Sequence, residues 1–157
     1  MYRLFVKRTL DLALAIVLSI ILTPLMIILY VSVKINSKGP FFFNQKRLGL
    51  NGGIFLIHKV RTMTDKKRVN HKEVLINDPE VTIIGKTLRR FKLDEIPQVL
   101  NIIKGDMSFV GPRPCLPELR ETFNEDGNKR IIVRPGITGL AQVNGNIFLP
   151  WEDRWKY

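Results

Sequence analysis

Two adjacent carboxylates, Asp94 and Glu95, are the side chains of this 157-residue chain best suited to catalysis. Apolar residues, Leu100 among them, recur at helical spacing on one face just after them, so the sequence predicts a helix over 94–104. Asp94 is its expected N-cap, and Gly105 is expected just after its end. Exposed N–H groups and the helix dipole at such a position favour anions, which keeps a carboxylate ionised and accommodates a metal-bound phosphate beside it. The structural alternative is a simple capping aspartate, which stabilises a helix by about 0.5–2 kcal/mol.

Cations in two other segments are suited to binding phosphate. Arg113 lies between Pro112 and Pro114, which restrict the backbone and present the guanidinium for bidentate phosphate contacts. A rigid turn with an exposed arginine is the alternative. Lys59 and Arg61 alternate on a predicted strand, so their side chains are expected on the same face. A structural ion pair explains these two residues equally well.

A glycine-rich segment, RPGITGLAQVNG at 134–145, is a further candidate. Glycine lets the backbone approach a ligand closely, although a single glycine-rich turn is a weak signal of binding. By itself this segment therefore indicates no particular ligand.

The charge balance favours an anionic partner. The chain has 25 Lys and Arg against 14 Asp and Glu, a net charge of +11, which suits nucleic acid, acidic lipid or a phosphorylated substrate. The sequence contains no helix-turn-helix, zinc-finger or base-stacking pattern, so we expect no nucleic-acid partner. One cysteine, Cys115, and two histidines exclude an internal disulfide and multi-histidine or cysteine-rich metal sites. This usage fits the cytosol or the cytoplasmic side of a membrane.

The N-terminal part contains an uncharged apolar run from Leu12 to Val33. As a straight helix these 22 residues would measure ~33 Å, enough to cross a bilayer. Thr23-Pro24 interrupts the run near its middle, where proline removes a backbone hydrogen bond. Both flanks are basic, whereas a crossing helix usually has an asymmetric distribution of Lys and Arg. The pattern favours a helix–break–helix segment that re-enters the same membrane face, and an ordinary transmembrane anchor is the alternative.

The sequence thus predicts an α+β chain in two parts. The re-entrant membrane segment takes residues 1–37. Residues 38–157 carry 21 Lys and Arg against 13 Asp and Glu and are too charged to span a membrane again. Extended segments around the turn at 50–53 predict a β-hairpin, and nine prolines and eleven glycines indicate a small, loop-rich globular domain.

These motifs together resemble a known family. Residues 78–114, DPEVTIIGKTLRRFKLDEIPQVLNIIKGDMSFVGPRP, are closely similar to the bacterial sugar transferases that start polysaccharide and glycoprotein assembly, the monotopic phosphoglycosyl transferases. The resemblance extends to the apolar run with its central proline, to GPFFFNQKRLG (39–49), to HKVRTM (58–63) and to RPGITGLAQVNG (134–145). The chain is therefore identified as a member of this family.

The resemblance implies an activity and two catalytic residues. Family members move a sugar-1-phosphate from a UDP-sugar to polyprenyl (undecaprenyl) phosphate and release UMP. Asp94 matches the nucleophile that forms a covalent phosphosugar intermediate, and Glu95 matches the second member of the acid dyad. The dyad is associated with Mg²⁺, so both carboxylates are candidate metal ligands. The implied location is the cytoplasmic face of the bacterial inner membrane, in contact with membrane lipids. The oligomeric state, a homo-oligomer included, is left open.

The resemblance also assigns phosphate- and nucleotide-binding residues. Lys59 and Arg61 match active-site cations, and Thr23-Pro24 matches the break of the membrane helix, which is usually Ser-Pro. The remaining matches lie in the motifs around Arg113 and in the glycine-rich segment. These residues are Pro112, Arg113, Pro114, Thr138, Gly139 and Gln142.

The chain departs from the family pattern in three respects. The segment that follows Asn144-Gly145 lacks the arginine commonly found there. Val60 stands where relatives usually carry an aromatic residue, and relatives continue for a few dozen residues where this chain stops at Tyr157. We therefore expect a domain that is C-terminally truncated relative to the family. The alternative function is an inactive, membrane-anchored binder of phosphorylated ligands, and the sequence leaves the identity of the sugar open.

Overall fold

The computed structural model describes residues 2–64 and 78–145, with side chains from residue 5 onward. Residues 65–77 and 146–157 of the predicted globular domain lie outside the described residues. The described chain combines helices with short strands, as expected for a mixed fold. The helices are α1 (Tyr2–Asn36), α2 (Ile83–Arg90), α3 (Gln98–Lys104), α4 (Glu125–Arg130) and α5 (Leu140–Val143). The strands are β1 (Phe42–Leu48), β2 (Ile54–Val60), β3 (Ser108–Val110) and β4 (Gly136–Thr138).

Pro24, where the sequence predicts a break, lies inside the continuous helix α1. The helix runs for 35 residues and includes Pro24, so the expected pair of helices is wrong as a description of the backbone. Pro24 removes a single helical hydrogen bond. In the turn before it, the Thr23 hydroxyl donates to the Ser19 carbonyl at 2.7 Å, and the helical bonds on either side continue the helix.

One face of α1 packs on the globular domain along the helix. Buried or half-buried positions recur every three or four residues, the period of an amphipathic helix. They include Arg8, Asp11, Ala15, Leu22, Leu29 and Val33. The opposite face exposes large apolar side chains, including Ile20, Ile21, Ile27, Ile28 and Val31. By length and composition, Phe5–Asn36 is long and apolar enough to cross a membrane.

Each half of α1 contributes to its own core cluster. Ala15, in the first half, packs with the residues Ile57, Val99, Ile102 and Met107. Leu29 and Val33, in the second half, pack with the residues Phe41, Val60 and Leu88. Helix α1 is therefore part of the core of the globular domain.

Polar contacts also fix the first half of α1. The Arg8 guanidinium donates to the carbonyls of Ile102 and Ile103 at the end of α3, the latter at 2.9 Å. Asp11 accepts a hydrogen bond from the Ser108 hydroxyl of β3 at 2.8 Å. These contacts set the position of α1 relative to α3 and β3.

The predicted hairpin is confirmed. Strands β1 and β2 pair antiparallel from Phe42 opposite Val60 to Leu48 opposite Ile54. The connection is a 3₁₀ turn at Leu50–Gly52, in which Gly52 adopts φ 75°. This hairpin places Lys59 near its end, beside the acidic pair.

Strands β3 and β4 pair in parallel through closely packed glycines. A Cβ atom on Gly136 would lie 2.1 Å from the Gly111 nitrogen, and one on Gly139 would lie 2.2 Å from the Gly111 oxygen. Only glycine permits this backbone separation. Part of the glycine-rich segment thus serves backbone packing, which places the Pro112–Pro114 turn.

Candidate active site

The acidic pair lies on a 3₁₀ turn, Leu93–Glu95, between α2 and α3. The predicted start of the following helix is wrong, because α3 begins at Gln98 with Pro97 at its N-cap position. Lys92 adopts the left-handed conformation with φ 57°, which turns the chain after α2. Asp94 therefore caps no helix, and the simple capping alternative does not explain it.

Glu95 is held by two cations. Its Oε1 accepts hydrogen bonds from Lys59 Nζ and from Arg113 Nη2, each at 2.8 Å. Burial alone would raise the pKa of Glu95, but these cations outweigh burial and lower the pKa to about 2. Glu95 is consequently an ionised carboxylate at neutral pH, paired with two cations through Oε1.

Asp94 is buried to the same extent as Glu95 but has a different environment. Its Oδ1 is buried and has no hydrogen-bond partner among the described residues. Burial raises the pKa of Asp94, and the neighbouring charge of Glu95 adds to this effect. The charges of Lys59, Arg89 and Lys92 partly offset it. The dyad thus combines a neutralised carboxylate with a desolvated one that has an oxygen available for reaction.

A cavity of about 560 Å³ adjoins the dyad. Its walls combine apolar side chains with Glu95 and several polar groups. The lining residues are Leu22, Lys92, Glu95, Ile96, Val99, Phe109, Arg113, Ile137, Thr138, Gln142 and Gly145. The site therefore connects the acidic pair, the Arg113 turn and helix α1.

The structure brings together most of the residues assigned by resemblance. Lys59, Glu95 and Arg113 are in direct contact, whereas Thr138 and Gln142 line the same cavity. The Oε1 atom of Gln142 is buried without a hydrogen-bond partner among the described residues, so it is available to a ligand.

Three assigned residues make structural contacts instead. The carbonyl of Pro112 accepts from the Gly136 N–H at 2.9 Å. The Pro114 carbonyl accepts from Arg47 Nη1 at 3.4 Å. Gly139 lies against Gly111 in the β3–β4 crossing. The two prolines and Gly139 thus hold the turn that carries Arg113.

Arg61 lies apart from the Glu95 ion pairs in its described contacts. Its Nη2 donates to the Ser37 carbonyl at 2.8 Å and to the Ser37 hydroxyl at 3.0 Å, just past the end of α1. Lys59 and Arg61 therefore have different partners, and the assignment of Arg61 to phosphate binding stays a prediction.

Two cations that act on the site were not singled out from the sequence. Arg89 and Lys92 both act on the pKa of Asp94, and Lys92 also lines the cavity. Arg89 Nε donates to the Thr62 hydroxyl at 2.9 Å. Their short sequence distance from Asp94 was the available signal.

The dyad fits a magnesium ion shared with a phosphorylated substrate. Within residues 2–64 and 78–145, no group of three or more His, Cys, Asp and Glu side chains is arranged to hold a metal. Mg²⁺ is often bound by only one or two carboxylates together with substrate phosphates. The unpartnered Oδ1 of Asp94 and the adjacent Glu95 meet this requirement.

The fold and site together describe an α+β protein with a buried, charged pair of carboxylates close to a long apolar helix. The model of the bacterial sugar transferase family matches residues 2–157, and the chain belongs to this family. The family predicted from the sequence motifs is thereby confirmed.

Related proteins bear names consistent with one type of reaction. The chain is 38% identical over 153 residues to the uncharacterized sugar transferase EpsL of Bacillus subtilis, covering 98% of this chain and 75% of that protein. It is 36% identical to the undecaprenyl-phosphate galactose phosphotransferase of Salmonella typhimurium, covering 96% and 35% respectively. It is 41% identical to the UDP-glucose:undecaprenyl-phosphate glucose-1-phosphate transferase of Xanthomonas campestris, covering 92% and 31%. The chain thus spans about a third of the two relatives whose names state a reaction.

Proposed function

We propose that this chain transfers a sugar-1-phosphate from a UDP-sugar to undecaprenyl phosphate, in a membrane step of polysaccharide or glycoconjugate synthesis. The observation that carries this proposal is the unpartnered, buried Oδ1 of Asp94 next to a Glu95 neutralised by two cations. The names of the Salmonella and Xanthomonas relatives support the same donor and acceptor classes.

The reaction proceeds in two displacements at one phosphorus atom. In the first, Asp94 Oδ1 attacks the sugar-linked phosphorus of the UDP-sugar, and the bond to the leaving phosphate breaks, releasing UMP with the electron pair. In the second, a phosphate oxygen of undecaprenyl phosphate attacks the same phosphorus and the Asp94 carboxylate leaves. The product is a sugar linked by a diphosphate to the polyprenol, and the enzyme regains its free carboxylate.

The charges of the site favour these displacements. Attack by a carboxylate on a diphosphate brings anions together, so fixed cations must offset the repulsion. Lys59 and Arg113 pair with Glu95, and the positive charges of Lys59, Arg89 and Lys92 all favour the ionised form of Asp94. Asp94 and Glu95 would hold Mg²⁺ together with phosphate oxygens, and the ion would neutralise further phosphate charge.

The packing of α1 supports re-entry into one membrane face. Arg8 contacts the end of α3, and Val33 packs in the second core cluster, so both ends of the apolar run lie against the same globular domain. A bilayer cannot separate two ends that pack on one domain. We therefore place α1 in the cytoplasmic leaflet of the inner membrane, where the positive charge of the protein attracts anionic lipids and substrates.

The test is the intact mass of the detergent-solubilised protein after mixing with Mg²⁺ and a panel of UDP-sugars, without acceptor. We expect an adduct of one sugar phosphate and one equivalent of UMP, both absent in Asp94→Asn. The donor that gives the adduct would identify the sugar. An adduct that persists in Asp94→Asn, or turnover to lipid-linked sugar without any adduct, would refute the covalent mechanism. Saturable donor binding without adduct or turnover would favour the alternative of a non-catalytic binder.

A further inference from the structure

The cavity beside the dyad lies between the two core clusters on α1. Ala15 belongs to one cluster and Leu29 to the other, and Leu22 lies midway between them and lines the cavity. Helix α1 thus reaches the cavity at the middle of its apolar run.

The cavity is lined by both apolar and charged side chains. Its apolar walls come from α1, α3, β3, β4 and the turn before α3. These side chains are Leu22, Ile96, Val99, Phe109 and Ile137. Glu95, Arg113 and Lys92 supply charged groups. This arrangement fits an amphiphile that carries a phosphate on a hydrocarbon chain.

The apolar wall continues onto the outer surface of α1. Ile20 and Ile21, directly before Leu22, expose 70% and 64% of their surface, respectively. Because this surface is the part of the chain suited to the hydrocarbon of a bilayer, a hydrophobic ligand can pass from lipid to the cavity along Leu22.

We propose that this cavity binds the phosphate-proximal isoprene units of the polyprenyl phosphate acceptor, with Leu22 as a specificity-determining wall residue. The inference rests on the proposed function. The UDP-sugar is polar and arrives from water, whereas the acceptor is the substrate with a hydrocarbon chain. A volume near 560 Å³ is that of a typical small-ligand pocket, so it takes only the first part of a long chain.

The experiment separates the two half-reactions in Leu22→Trp, which fills the cavity while keeping the wall apolar. The first measurement is adduct formation and UMP release from the UDP-sugar without acceptor. The second is transfer from the preformed adduct to undecaprenyl phosphate over a range of acceptor concentrations. We expect adduct formation to be retained and the acceptor KM to rise about tenfold, the effect of displacing roughly two buried methylene-sized groups.

Two further variants make the result specific. Ile28→Trp places the same side chain at an exposed position of α1 that does not line the cavity, and it should leave both half-reactions unchanged. Ile137→Phe narrows the cavity from β4, outside the membrane helix, and should reproduce the rise in acceptor KM if Leu22→Trp fails to fold. An acceptor shortened to a few isoprene units should show the same relative rise, because only the units next to the phosphate lie in the cavity.

The outcomes distinguish this inference from the proposed function. An unchanged acceptor KM in both Leu22→Trp and Ile137→Phe would overturn the assignment, as would an effect that disappears with the shortened acceptor. Loss of adduct formation with normal transfer from preformed adduct would assign the cavity to the donor and also overturn it. Absence of any adduct or turnover in the unsubstituted protein would instead count against the proposed function.

Discussion

Replacing each carboxylate of the dyad separately by its amide is expected to change the free energy of unfolding, with opposite signs for Asp94 and Glu95. Asp94→Asn and Glu95→Gln are nearly isosteric and each removes one negative charge from a buried site. Both should abolish turnover. Their effects on the free energy of unfolding should differ because Glu95 is paired and Asp94 Oδ1 is not.

The magnitude for Glu95→Gln follows from its pKa. The pKa is lowered from 4.5 to about 2 in the folded protein, which corresponds to roughly 3 kcal/mol of stabilisation by the ionised form. This stabilisation is present above pH 4.5 and is lost as the pH falls through about 2. Glutamine also leaves the partly buried Lys59 and Arg113 without their ion-pair partner. For a chain of this size the melting temperature should fall by roughly 6–12 °C.

The sign is reversed for Asp94→Asn. Burial raises the pKa of Asp94 above its ordinary value of 3.8, so the folded state binds the proton more tightly than the unfolded state. The free energy of unfolding therefore falls as the pH rises from 3.8 through the raised pKa. At neutral pH the asparagine removes this cost, and the melting temperature should rise.

The assay is thermal and urea unfolding of the detergent-solubilised protein at neutral pH, followed by circular dichroism. Glu121→Gln, at an exposed acid in the 3₁₀ turn Pro117–Thr122, is the matched control and should leave stability unchanged. A shift of both dyad variants in the same direction would refute the division of the pair into a paired and an unpaired carboxylate.

Adduct formation needs ionised Asp94, so its rate should fall with decreasing pH at a midpoint above 3.8. A rate that declines only near the lowered pKa of Glu95 would contradict the assignment of Asp94 as the nucleophile. Gly136→Ala should lower the melting temperature and the yield of folded protein, because the added Cβ would lie 2.1 Å from a backbone nitrogen. Gly53→Ala is the control and should be tolerated, since the nearest atom to its added Cβ would lie at 3.3 Å. In a background without the native cysteine, Arg3→Cys and Lys38→Cys should both react with an impermeant thiol reagent from the cytoplasmic side only. Labelling from opposite sides would exclude re-entry.

Much of the site could be predicted because its residues lie in specific motifs. The family resemblance assigned Lys59, Glu95 and Arg113 to one site. In the structure, Lys59 Nζ and Arg113 Nη2 each lie 2.8 Å from Glu95 Oε1. The contribution of Leu22 had no such signal. Its neighbours in the run are equally apolar, and only the packing of α1 shows which of them reaches the cavity.

The apolar periodicity of the sequence predicted the buried face of α3 only in part. Leu100 was expected on the buried face but is 44% exposed, whereas Asn101 is completely buried. The Asn101 side chain donates to the Leu56 carbonyl at 2.7 Å and accepts from the His58 N–H at 3.1 Å. The sequence pattern does not show that a polar side chain such as Asn101 makes its hydrogen bonds to a strand that is distant in the chain. Such a buried polar residue therefore looks the same in the sequence as one at the surface. Gly105, by contrast, ends α3 as expected, because it adopts φ 95°.

The packing of α1 has a consequence for how the protein can be handled and varied. Deleting residues 1–36 would uncover Ile57 and Val99 in one cluster and Val60 and Leu88 in the other, so the shortened chain should aggregate and should not yield a soluble catalytic fragment. In the proposed membrane placement, the same packing links the depth of α1 in the lipid to the height of the dyad above it. The rate of transfer to the acceptor should therefore depend on the thickness of the bilayer or on the chain length of the detergent that surrounds α1.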